Sequence, residues 1–136
     1  MDFTVKEYSK YNEEEILNLY RSVGWMNYVN YPEMLKNAYA NSLNIFGAYE
    51  NEKLLGIIRV VGDGYSIVFI QDIIVLPEYQ RHGIGTSLLK RVLDTYEHVY
   101  QKTLLTDNTE RTIQFYKSLG FQMDTEIECR AFTKMR

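Results

Sequence analysis

The sequence predicts an α/β chain organised on a mixed sheet, and three observations lead there. Three β-rich runs follow one another between Leu43 and Val75, a helical period takes over from Ile84, and a short apolar run, Thr103 to Thr106, follows that helix. A meander followed by a strand–helix–strand crossover sets antiparallel and parallel neighbours in one sheet. The 136 residues suit a single domain, 1–136, long enough to bury a core without staples.

Taken in order, Phe3 to Tyr8 alternates weakly and reads as a first strand. Asn12 before Glu13, Glu14 and Glu15 is a helix start, because Asn12 can cap, Glu15 can reach back, and the acids complement the helix dipole. Ile16, Leu19, Tyr20 and Val23 give the buried face, and Gly24 ends the helix. Trp25 to Tyr31 is a loop dense in aromatic residues; Pro32 then suits the first position of a second helix carrying Leu35, Ala38 and Tyr39. Leu43 to Tyr49 and Leu54 to Val61 form a hairpin across Glu50 to Lys53, and Gly62-Asp63-Gly64 turns the chain into Tyr65 to Val75.

Ile84, Leu88, Leu89, Val92, Leu93 and Tyr96 recur at the helical period and predict a long amphipathic helix. Thr103 to Thr106 reads as an interior strand parallel to the one before that helix. Asp107 with Glu110 can form a capping box for a last helix with Ile113, Tyr116 and Leu119 on one face, ended by Gly120. Phe121 to Asp124 and Glu128 to Lys134 read as closing strands. No internal repeat or linker stands out.

Between the apolar run ending at Val75 and the long helix lies a loop carrying Arg81, Gly83 and Gly85. The first N–H groups of a helix lack intrahelical partners and sit at the positive end of the dipole, so glycines there let an anion approach the main chain. There is no G-K-[ST], and G-x-G without a third glycine does not make a dinucleotide loop.

Gln80-Arg81-His82-Gly83-Ile84-Gly85, preceded by Ile73 to Pro77, resembles the acetyl-CoA pyrophosphate loop of the GNAT superfamily of N-acetyltransferases, whose motif reads Q/R-x-x-G-x-G/A. Asn108 to Phe121 is similar to that family's last helix with its Tyr-x-x-x-Gly-Phe ending. The resemblance implies a GNAT fold with a mixed central sheet of about six to seven strands flanked by about four helices. It implies acetyl-CoA as co-substrate. Main-chain groups of Ile73, Ile74 and Val75 would pair with the pantetheine arm as an added strand does. Arg81, His82, Gly83, Ile84, Gly85 and Thr86 would cradle the diphosphate, with Gln80 orienting the loop. Tyr116 matches the tyrosine placed beside the sulfur as general acid. Asn108 stands eight residues before Tyr116 where many relatives have seven, so either Asn108 or Thr109 is the pantetheine contact; a helix cap explains both equally. Both motifs are expected at one crevice beyond the carboxyl ends of two parallel strands.

Transfer to an amine requires loss of a proton, and Asp72 is the first candidate base, with structural hydrogen bonding as the competing explanation. Trp25 and Tyr28 either plug the core or wall the acceptor pocket. Ser22 to Trp25, with Pro32, Leu35 and Ile70 to Pro77, is similar to a GNAT branch that includes aralkylamine and plastid-type lysine acetyltransferases. The expected activity is acetyl transfer to a primary amine of a small molecule by direct attack. A protein lysine or N-terminus is the alternative acceptor, and a non-catalytic CoA-sensing or protein-binding module the alternative class.

Fifteen Lys and Arg against eighteen Asp and Glu give a net charge of −3, which gives a nucleic-acid partner no electrostatic support. Cys129 is the sole cysteine, so no internal disulfide forms and no His or Asn companion marks it as a nucleophile. Two histidines without ligand spacing point to no metal site. No apolar run reaches the ~18 residues of a membrane span, and the cytoplasm is the expected compartment. A homodimer is common for so small a member of the family.

Overall fold

The computed structural model describes Met1–Arg136. It places β1 at Thr4–Glu7, α1 at Glu13–Ser22, α2 at Met26–Val29, α3 at Pro32–Ala40, β2 at Asn44–Glu50, β3 at Lys53–Gly62 and β4 at Ile67–Val75. α4 (Ile84–Thr95), β5 (Gln101–Leu104) and α5 (Glu110–Ser118) follow, with 3-10 turns at Pro77–Tyr79 and Asp124–Ile127. The chain divides into two units, Met1–Leu104, which holds the whole sheet, and Leu105–Arg136, which holds α5.

The sheet runs β1-β2-β3-β4-β5, antiparallel up to β4 and parallel between β4 and β5, as the order of elements predicts. It has five strands, not six to seven. Phe121 to Asp124 and Glu128 to Lys134 form no strand, because local side-chain bonds compete with any ladder there. Asp124 accepts from Thr125 N at 2.9 Å and Ala131 N at 3.3 Å, its carbonyl accepts from Cys129 N at 2.7 Å, and Glu126 accepts from Met123 N at 3.0 Å.

Successive side chains of a strand face opposite ways, and the two faces of this sheet have different cover. Ile45 joins a core with Ile16, Leu19 and Tyr20 of α1 and Leu35 and Tyr39 of α3. Its neighbour Phe46 lies under the guanidinium of Arg91, on α4, at 5.5 Å. Arg91 also donates from Nη2 to the carbonyl of Val5 at 3.0 Å. Ile84, Leu88, Leu89 and Val92 are the buried stripe of α4.

The first helix start differs in one bond from the expected box. Asn12 accepts from Glu15 N at 3.1 Å, but the N–H of Asn12 donates to the hydroxyl of Tyr8 at 2.9 Å, and that hydroxyl reaches Glu15. A tyrosine just beyond β1 is inserted into the cap. The loop after α1 contains a single helical turn, α2, before Pro32 opens α3.

β4 carries the feature that shapes the site. Its register against β3 shifts between Arg59 and Val60, so that Arg59 faces Asp72, Val60 faces Ile70, and Gln71 is the extra residue of a bulge. Pairing with β5 ends at Ile70 opposite Leu104. From Gln71 to Val75, β4 therefore has a strand on one side only.

Candidate active site

The open edge can be read from one bond. Leu76 N donates to the carbonyl of Leu55 at 2.9 Å, so Leu76, Ile74 and Asp72 aim their main-chain groups at β3, and the intervening Ile73 and Val75 aim theirs away. Of the three residues expected to meet an extended ligand, Ile73 and Val75 present free main-chain groups and Ile74 is used by the sheet. Gly56, paired with Val75, is where β3 comes closest: a Cβ there would lie 2.7 Å from the carbonyl oxygen of Ile74.

Beyond Val75 the chain makes the turn Pro77–Tyr79, then takes left-handed dihedrals at Arg81 (φ 67°) and Gly83 (φ 82°) on either side of His82. Positive φ is costly for arginine and free for glycine. No N–H from Arg81 to Thr86 donates to another protein atom; the first bond of α4 runs from Ser87 N to the carbonyl of Gly83 at 3.0 Å. The first turn of α4 has neither a side-chain cap nor an acidic residue, so its dipole is uncompensated. A Cβ on Gly83 would meet nothing within 4 Å. The glycine is there for its dihedral, and the space above it is open. Gln80 donates from Nε2 to the carbonyl of Val75 at 3.2 Å, tying the loop to the end of β4. These groups fit a diphosphate: six consecutive free N–H donors, an exposed Arg81 and room over a glycine.

Asp72 is 3% exposed. Its Oδ2 accepts from Arg59 Nε at 2.8 Å and from the hydroxyl of Tyr20 at 2.6 Å. Tyr20 Oη lies 3.1 Å from Tyr39 Oη, Arg59 Nη1 donates to Ser42 Oγ at 3.2 Å, and the guanidinium stands 5.6 Å from the ring of Tyr39. Burial, followed by the neighbouring Tyr39 and Asp72, pushes the Tyr20 phenol far above its ordinary range. Burial likewise raises Tyr39. These phenols stay neutral donors beside a paired carboxylate. The bonds that hold Asp72 thus come from side chains and not from neighbouring backbone.

Trp25 and Tyr28 pack on the α1/α3 core, their rings 6.0 and 5.1 Å from that of Tyr20. Tyr28 Oη accepts from Gln71 Nε2 at 3.2 Å, so the aromatic loop is fastened to the extruded residue of the bulge.

In the second unit, Thr109 is the N-cap of α5 and accepts from Thr112 N at 3.3 Å. The expected cap at Asp107 is not formed, since the helix starts two residues later. Thr109 is spent as a cap, while the side chain of Asn108 is exposed and forms no hydrogen bond. Tyr116 is 9% exposed and its hydroxyl has no partner at hydrogen-bonding geometry. Burial raises its phenol above the ordinary value, opposed by the nearby Thr106 hydroxyl. Phe121 N bonds to the carbonyl of Tyr116 and Gly120 N to that of Lys117, both at 3.1 Å, with the Tyr116 and Phe121 rings 5.8 Å apart. The Tyr-x-x-x-Gly-Phe ending is a Schellman termination with its apolar clasp.

Sequence reasoning missed Arg59, Tyr20, Tyr39 and Gln71. A signal was present for the first: Arg59 and Asp72 are single opposite charges inside adjacent apolar strands, a pattern that calls for cross-strand pairing.

The pattern of the family described as "Acetyltransferase (GNAT) domain" matches residues 41–123. Among solved structures, the GNAT family acetyltransferase SP0256 from Streptococcus pneumoniae TIGR4 is 41% identical, with a TM-score of 0.90 over 99% of this chain and 98% of that one. The PaiA N-acetyltransferase of Thermoplasma acidophilum, solved with coenzyme A, shares the fold at 19% identity, with a TM-score of 0.76 over 91% and 92%. An uncharacterized N-acetyltransferase, ycf52, of Gracilaria tenuistipitata var. liui is 32% identical over 85% of this chain and 64% of its own length. Histone acetyltransferase TAP1 of Glycine max is 32% identical over 57% of this chain, which spans 33% of that protein. A bulged strand leading into a glycine loop, with these likenesses, defines the class of GNAT-fold proteins. The chain belongs to the GNAT family.

Proposed function

We propose that the chain transfers acetyl from acetyl-CoA to a primary amine of a small molecule by direct attack. The observation that carries this reading is the run of unpartnered N–H groups from Arg81 to Thr86 joined, through Gln80, to the open edge at Ile73 and Val75. Bound acetyl-CoA supplies a thioester whose acetyl carbon takes the amine and whose sulfur departs as thiolate. The residues of the chain then act by holding and orienting. Main-chain groups of Arg81 to Thr86 take the diphosphate, those of Ile73 and Val75 the pantetheine arm, and Asn108 is assigned to the same arm in preference to Thr109.

Tyr116 is assigned to the sulfur. A phenol near pKa 10 gives its proton to a thiol near 8.5 only uphill, by about 2 kcal/mol, and the upward shift at Tyr116 adds to that cost. Its role is a hydrogen bond to the developing thiolate more than a completed transfer. An alkylammonium near pKa ~10.4 must lose a proton before attack. Asp72, the first candidate for that proton, already holds two strong donors on Oδ2, so it is assigned to positioning and the proton goes to water.

Trp25, and Tyr28 anchored at Gln71, favour an acceptor with an aromatic or apolar arm. A protein lysine is the second reading, and the name of the soybean relative speaks for it. A thiol-release assay with aralkylamines, polyamines and a lysine peptide tests both: turnover highest on an aralkylamine supports the first, on the peptide the second. CoA binding without turnover on any amine would make the chain a sensing module.

A further inference from the structure

Half-way along β4 the even-numbered residues change sides. Up to Ile70 they aim their main-chain groups at β5, since Gln101 N takes the carbonyl of Ser66 and the parallel pairing ends at Ile70. From Asp72 onward they bond to β3, and Ile74 and Leu76 join the α1/α3 core while Val68 and Ile70 lie outside it. Gln71 makes the change. Were β4 regular, the alternation would run straight through: Asp72 would turn toward the α4 face, and Ile74 in place of Ile73 and Val75 would look onto the open edge. The local sequence does not force a bulge, for no glycine lies between Gly64 and Gly83.

We propose that Arg59, Asp72 and Tyr20 are positioning residues that select the bulged register, and so decide which main-chain groups β4 offers to acetyl-CoA. The proposal rests on the acetyl-CoA reading above. Only with the bulge does the carboxylate reach Arg59 Nε at 2.8 Å and Tyr20 Oη at 2.6 Å, in a setting where Arg59 also holds Ser42. In the slipped register it would enter a face lined by Ile84, Leu88, Leu89 and Val92, none of which can donate to it. A buried ion pair adds little net stability, yet an unpaired buried charge is strongly disfavoured, and that asymmetry is a register selector. The bond from Gln71 to Tyr28 holds the extruded residue on the outside.

Three proteins test this: wild type, Asp72→Asn, and Arg59→Met with Asp72→Leu. They are compared by melting temperature, CoA affinity by calorimetry, amide exchange at residues 73 to 75, and the pH profile of kcat/KM. In wild type the Ile74 amide exchanges slowly, and those of Ile73 and Val75 exchange fast until CoA protects them. Asp72→Asn melts lower and binds CoA about tenfold or more weakly, with an unchanged pH profile. The double variant melts at or above wild type, since apolar pairs often replace buried ions without loss, yet it binds CoA as weakly and loses the odd–even exchange contrast. A double variant with wild-type affinity and contrast overturns the proposal. So does an Asp72→Asn protein that keeps its CoA affinity and loses the acid limb of its profile, which would make Asp72 the base. If wild type binds no CoA, the acetyltransferase reading falls, and the exchange contrast alone still decides the register: its loss in the double variant upholds the selector, its persistence sinks it.

Discussion

Two helix ends in this chain are written alike and used differently. Tyr20-Arg21-Ser22-Val23-Gly24-Trp25 closes α1, and Tyr116-Lys117-Ser118-Leu119-Gly120-Phe121 closes α5. In each, the aromatic residue's N–H returns to the tyrosine carbonyl, glycine N–H returns to the basic residue's carbonyl, glycine takes a left-handed φ, and serine Oγ bonds to the carbonyl three residues back. The two rings meet edge to face at 6.0 and 5.8 Å. The contrast lies at the hydroxyls: Tyr20 donates to a buried carboxylate, and Tyr116 donates to nothing. A helix-ending code fixes where a phenol stands; only its partner shows whether it belongs to the fold or is left for chemistry.

The comparison can be broken most sharply at Tyr116. Tyr116→Phe keeps the clasp with Phe121 and should cost about 10²-fold in kcat, with CoA affinity and melting temperature near wild type. A large fall in stability with intact turnover would make it a packing residue. Gly83→Asp should weaken CoA binding by a similar factor, because it forces φ 82° on a β-carbon and sets a carboxylate against phosphate; calorimetry reads it directly. Tyr20→Phe should act first on stability, removing a hydrogen bond to a charged group and about 2 kcal/mol in urea unfolding, with CoA affinity falling as the register loosens.

Alkaline pH provides a gentler probe. Tyr20 and Tyr39 have folded pKa values raised by burial above the unfolded value near 10, so the unfolded chain ionises first. Their contribution is fully present below pH ~10 and is lost as pH rises beyond it. Melting temperature should therefore fall from about pH 10 upward, with a shallower slope in Tyr20→Phe. Smallest of all, Gly24→Ala and Gly120→Ala should each cost about 1 kcal/mol, a purely dihedral penalty since a Cβ meets nothing within 4 Å at either place. If Gly120→Ala alone also lowers turnover, the second helix end positions its tyrosine for chemistry.

What could be read from the sequence was what local chemistry decides. Asn12, Pro32 and the apolar period from Ile84 place α1, α3 and α4 to within a residue or two, and Gly83 and Gly85 mark the loop ahead of α4. What escaped depends on distant partners. Tyr20 and Asp72 are 52 residues apart, and no local feature announces their bond. The bulge at Gln71 carries no glycine or proline; it follows from which strand offers a partner to a charge. The closing strands failed for the opposite reason. Asp124 and Glu126 supply main-chain partners from within the segment.

Arg91 gives the outer rim of the sheet a property unrelated to acetyl transfer. β1 turns the main-chain groups of Val5 and Glu7 outward, where a stray polypeptide could dock and begin a filament. With its guanidinium on the Val5 carbonyl, Arg91 has already taken one of the few acceptors such an intruder needs, and Lys6 and Glu7 surround it with charge. A helix residue leaning over a strand it does not belong to thus blunts the free edge of the sheet.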